Sequence, residues 1–135
     1  MSKRPLILAL AVLAFGQGAA PNVAYAHHSF AAFFDSEKIV TIRGKVTAFR
    51  FTNPHGTIAV AVTGEDGSVR EWRAETNAPV VLMRRGWTRD AVRPGQEIAI
   101  EGWMSRDGKP YMRLRRAFDA DGRLIGTAPF GQGDN

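Results

Sequence analysis

From Ile39 the chain alternates with a period of two. Val40, Ile42, Val46 and Ala48 stand against Thr41, Arg43, Lys45 and Thr47, the pattern of a strand with one buried face. Gly44 interrupts it and marks a bulge or barrel bend. Phe49 and Phe51 take the opposite parity, so a second irregularity falls near the strand end. Thr52 to His55 (TNPH) is a turn, because Pro54 fixes its own φ and drives Asn53 out of the helical region. Thr57 to Thr63 forms the second strand, with Ile58, Val60 and Val62 inward. Asp66-Gly67 lies in a hairpin turn, and Val69 to Glu75 is a more polar third strand.

The period then changes. Asn77 is placed to cap a helix with Pro79 in its first turn, and Val80 to Arg85 runs to Gly86 as a stop. Arg84 and Arg85 suit the helix C-terminus. Glu97 to Met104, with Ile98 and Ile100 inward, and Tyr111 to Phe118, with Met112 and Leu114 inward, complete the strands. The fold class is mainly β: a small OB-like, five-stranded Greek-key barrel with one short helix between strands three and four. Ahead of it, Phe30, Phe33 and Phe34 at i, i+3 and i+4 predict a helical turn capped by Ser29, an arm that plugs the open end of the core.

The first 26 residues have a different character. Lys3 and Arg4 precede the apolar run Leu6 to Phe15, and Ala24-Tyr25-Ala26 supplies an A-x-A cut. This is the pattern of a secretory signal peptide, too short in its apolar run to span a bilayer. The expected organisation is therefore 1–26 signal peptide, 27–38 N-terminal arm, 39–126 barrel domain and 127–135 flexible tail. The expected location is the periplasm, with no membrane insertion after cleavage. Lys3 and Arg4 account for two of the 18 basic residues, so the chain from His27 carries 16 against 13 acidic residues. That net charge of +3 is too small to argue for nucleic acid as a partner. The absence of cysteine excludes disulfides, thiolate metal sites and thiol nucleophiles.

Cleavage after Ala26 would make His27 the first residue. A terminal histidine can chelate one metal ion through its amine and Nδ1, and the amine's pKa of roughly 7.7–8 makes deprotonation easy. A second imidazole would complete a three-nitrogen site of the kind called a histidine brace. Nitrogen donors without thiolate favour copper, nickel or zinc. His55, in the first inter-strand turn, is the candidate third ligand. His28 offers another mode through the amide and its own ring. The candidate metal ligands are thus His27, His28 and His55, with Asn53 and Pro54 shaping the turn, and the candidate cofactor is a copper ion.

The AHHSF and TNPH motifs, with LMRRGWTRD, RPGQEI and the glycine that follows, resemble a family of small secreted bacterial proteins, domain-of-unknown-function family 6152. The resemblance runs over about Ala26 to Gly126. It implies a periplasmic OB-like domain whose signature residues fall here on His27, His28, Asn53 and His55, and it supplies no activity.

Trp72, Trp87 and Trp103 with Tyr111, Arg113 and Arg115 could be read as a stacking face for oligonucleotides. Glu71, Glu75, Glu97 and Glu101 in the same strands point instead to cross-strand Arg–Glu pairs on a solvated face. No Ser-His-Asp order, phosphate loop or paired catalytic carboxylates stand out, so no enzyme activity is expected. The sequence leads to a periplasmic metal-binding protein, a copper carrier or sensor. The alternative is an OB-like module that docks another periplasmic protein without metal.

Overall fold

The alternation read from Ile39 belongs to a longer strand. Residues 30–134 are described by the structure, a computed structural model. They form helix α1 (Phe30–Phe33), strands β1 (Phe34–Arg50), β2 (Thr57–Thr63) and β3 (Val69–Glu75), helix α2 (Pro79–Arg84), and strands β4 (Glu97–Ser105) and β5 (Tyr111–Phe118). The strands close into a barrel in the order β1-β2-β3-β5-β4, β4 returning to β1. All neighbours are antiparallel except β3 and β5, which run parallel. This is the expected OB-like barrel, with α2 between the third and fourth strands and one more short helix at the arm.

The length of β1 follows from its double role, since it pairs with β2 along one stretch and with β4 along another. It must bend to serve both. At Gly44 a Cβ would overlap the carbonyl oxygen of Ala61, so only glycine allows the strands to approach there. The register against β2 shifts between Val46 and Ala48. That bulge at Thr47 accounts for the reversed parity of Phe49 and Phe51. The strand starts earlier than the alternation indicates: Phe34 pairs with Ser105, and the ladder resumes at Ile39 opposite Trp103. The arm's helical turn is therefore only Phe30–Phe33, and the barrel begins at Phe34, not 39.

Ile42, Val46, Ile58, Val60, Ile98, Ile100, Met112 and Leu114 are buried in one cluster, with Val40 and Val62 partly buried against it. Each such side chain contributes about 1.5–3 kcal/mol on burial. Leu82 of α2 and Trp87 close one end of that cluster. Gly86, at φ +78°, ends the helix as expected.

Two local expectations fail. Asn77 does not cap α2: the N-cap is Ala78, with no side-chain hydrogen bond. Asn77 is buried and donates to the Asp134 carbonyl oxygen instead. The segment 127–135, expected as a flexible tail, is tied to the barrel over its described part. Phe130 is 3% exposed, its ring centroid lies 6.2 Å from that of Trp87, and its N–H donates to the Arg115 carbonyl at 2.7 Å. Asp134 pairs with Arg85 at 3.0 Å. The turn before this tail holds Gly126 at φ +87°, where a Cβ would strike the Trp87 ring.

Two stability measurements test this account. Ile100→Ala should lower unfolding free energy by about 2–5 kcal/mol in denaturant titration. Phe130→Ala should cost about 3–5 kcal/mol; a loss below about 0.5 kcal/mol would mean the tail does not seal the core.

Candidate functional site

The turn after β1 is held against the end of β3. Gly56 N–H donates to the Asn77 carbonyl at 3.4 Å, and Thr76 N–H donates to the Gly56 carbonyl at 2.9 Å. The Asn53–Pro54 peptide within the turn is cis. These bonds set His55 beside Glu75, the last residue of β3. Parallel pairing then aligns Glu75 with Arg113 and Arg73 with Tyr111, bringing two further side chains to the same point.

Glu75 is the hub. Its Oε1 accepts from Arg113 Nη1 at 2.7 Å and lies 3.0 Å from His55 Nδ1. Its Oε2 accepts from the Tyr111 hydroxyl. Arg113 also donates to the Thr76 carbonyl at 3.3 Å and to the Asp134 carbonyl at 3.1 Å. Burial, and next the adjoining Glu75 carboxylate, push the Tyr111 phenol well above its ordinary range, so it remains a donor. The Arg113 side chain is 5% exposed and that of Glu75 20%, so this ion pair is largely out of water.

A cavity of about 280 Å³ opens over this polar floor. Phe30, Phe33 and Phe34 of the arm, with Pro54, supply apolar wall, and Gln132 reaches it from the tail. The arm is seated by rings: Phe30 packs edge-on to Trp103 at 5.2 Å, and Phe34 lies 5.5 Å from Tyr111. Arg106 Nε also donates to the Ala31 carbonyl at 2.7 Å.

Of the residues singled out in the sequence, His55 and Pro54 line this cavity. Asn53 is exposed in the turn and is not part of the lining. His27 and His28 lie outside the described residues, as do Ser29 and the whole of the segment 1–26. Among the described residues no three His, Cys, Asp or Glu side chains are grouped as a metal cluster would require; His55 and Glu75 make two. No described helix is long and apolar enough to cross a membrane.

Sequence patterning does not reveal the hub. Glu75, Tyr111 and Arg113 are visible in it only as members of a striped surface, and Arg113 is expected on a solvated face. It does stand on the opposite face from Met112 and Leu114, but the tail roofs it and buries it. No local pattern announces a cover that arrives from residue 134. Trp87 and Trp103 are buried rather than open platforms. Arg115 and Arg116 do pair across strands with Glu101, and Arg116 ahead of Arg115 holds that carboxyl below its ordinary range against the opposing effect of burial.

No curated protein matches the chain. Among solved structures, TiaS in complex with its isoleucine tRNA and ATP shares 15% identity over 64% of this chain and 19% of that one, at a TM-score of 0.45. A ZRD-deleted mutant of TiaS in complex with agmatine shares 14% over 70% of this chain and 23% of that one, at 0.45. Apo TiaS, a tRNA agmatidine synthetase, shares 17% over 73% and 25%, at 0.42. The chain thus spans between 19% and 25% of the length of these structures. Residues 17–112 match DUF6152, a family of unknown function, and since that stretch takes in most of the sequence, the chain belongs to this family.

Proposed function

We propose that this protein is a periplasmic copper-binding protein, a carrier or sensor, whose site forms at the barrel end once a signal peptide is cut after Ala26. In this reading the His27 amine and imidazole chelate Cu(II), His55 supplies the third nitrogen, and His28 is a ligand or a close neighbour. The observation that carries it is that Phe30 and His55 line one cavity. Three residues of extended chain span at most roughly 10 Å, so anchoring Phe30 beside His55 limits how far His27 can be from the same cavity. The donors also suit the metal: imidazoles and an amine, with no thiolate in the sequence, are nitrogen ligands that copper binds well. Apolar walls favour the reading too, since a dry surrounding strengthens bonds to a metal and limits exchange with water.

Intact-mass measurement on exported protein should give a chain beginning at His27. Copper titration by calorimetry, with the spin resonance of Cu(II), should then separate four forms. Adding one Ala ahead of His27 keeps every imidazole but displaces the amine. His55→Ala keeps the chelate and removes the third nitrogen. Each should weaken Cu(II) binding by at least about tenfold, the effect expected from losing even an outer partner of a ligand. His28→Ala should have a smaller effect. Without metal, the Ala-extended and His28→Ala chains should change unfolding free energy by less than about 1 kcal/mol, because no residue of the buried core is altered. His55→Ala should cost about 1–3 kcal/mol by removing a partner of the largely buried Glu75 carboxylate. Equal copper affinity for the processed and Ala-extended chains would remove the metal reading and leave a protein-docking module as the better account of the cavity.

A further inference from the structure

We infer that Glu75 is a positioning residue that holds His55 in its Nδ1–H tautomer, so that Nε2 carries the ring's lone pair. Neutral imidazole has one donor and one acceptor nitrogen, and the partner of one decides the role of the other. The group facing Nδ1, at 3.0 Å, is Glu75 Oε1. An ionised carboxylate only accepts hydrogen bonds. The same carboxylate receives a bond from Arg113 Nη1 at 2.7 Å and one from the Tyr111 hydroxyl. Both of those groups donate, and Arg113 has no acceptor form at all. With two donors already fixed on it, the carboxylate presents Nδ1 with an acceptor.

The geometry is held by more than side chains. Glu75 stands opposite Thr57 on β2 and beside Arg113 on β5, so its backbone is fixed from both sides. His55 follows Pro54 in a turn bonded to Thr76 and Asn77. Neither partner can drift without breaking the barrel end. The tautomer stands on these contacts alone; its consequence, that Nε2 is the atom a metal would meet, rests on the copper reading above.

The test is a long-range nitrogen–proton correlation spectrum of the processed, metal-free protein, at a pH where the ring is neutral, with the His55→Ala spectrum assigning the signal. Wild type should show the Nδ1–H pattern for His55. Glu75→Gln should keep it, because Arg113 and Nδ1 share the Oε1 side and Arg113 can only donate. That holds the amide oxygen there and leaves the NH₂ to the Tyr111 hydroxyl, a group that can also accept. Glu75→Leu, with no acceptor, should lose the preference for Nδ1–H. Tyr111→Phe should keep the wild-type pattern, because the carboxylate and Arg113 remain. In the copper titration Glu75→Leu should lose at least about tenfold in affinity. A wild-type spectrum with the proton on Nε2 overturns the inference by itself, even if Glu75→Leu does not fold. An unchanged tautomer in a folded Glu75→Leu overturns it too. A correct tautomer in a protein that binds no copper would leave Glu75 as the positioning residue and remove the metal reading, so the two failures are distinguishable.

Discussion

Arg113 carries a charge it cannot lose in a place water hardly reaches, and one end of the barrel is organised by that fact. A guanidinium stays protonated at any physiological pH, and the effective cost of desolvating it is several kcal/mol unless its donors are met. Here they are met by three acceptors from two distant parts of the chain: the Glu75 carboxylate and the adjoining Thr76 carbonyl, and the Asp134 carbonyl. The last strand, the start of the crossover into α2 and the C-terminal tail are thereby tied at one point. Such a pair is weak evidence for net stability, because an apolar replacement of both partners can do as well. Its value is directional: it fixes where Glu75 points, and a packed hydrocarbon would not.

That direction matters because of the topology. In a barrel closed as β1-β2-β3-β5-β4, β3 lies between an antiparallel and a parallel neighbour. The C-terminal end of β3 is therefore flanked by the start of β2 and the early part of β5. His55 sits just ahead of the first, and Tyr111 and Arg113 belong to the second. Residues separated by up to 58 positions share one carboxylate without any sequence motif joining them. The two constraints on β1, close approach at Gly44 and the bulge at Thr47, are what let the barrel close in this order.

Much of this is readable from the chain, and what is not has a common cause. Period-two alternation locates the strands and the inward residues, because one face of each meets the core and the other meets polar surroundings. The parity change at Phe49 announces a bulge. The failures lie where a distant segment overrides a local preference. Asn77 has the side chain of a cap, yet Asp134 claims it, and its Oδ1 is left buried without a hydrogen-bond partner among the described residues. Arg113 has the spacing of a solvated residue, yet the tail covers it. Phe130 sits among glycines and polar residues that look unstructured, yet Trp87 and Arg85 give its ring two partners. Of the candidate site, His55 and the turn are legible because proline and histidine have local signatures. The Glu75 hub is not, since a parallel pairing between β3 and β5 leaves no trace in spacing.

The charge balance of the cavity floor bears on what kind of ligand could be selected there. Glu75 offsets Arg113, so with a neutral His55 ring the floor carries no net charge. A cation approaching it gains nothing from long-range attraction, and a carboxylate already holding three groups has little left to offer as a ligand. Selection under the copper reading would then rest on donor type and on geometry, which is how a nitrogen site discriminates among divalent ions that differ little in charge. A floor of unpaired carboxylates would have favoured hard, oxygen-seeking cations instead. The pairing that makes Arg113 tolerable inside the protein is thus the same one that removes Glu75 from competition with imidazole.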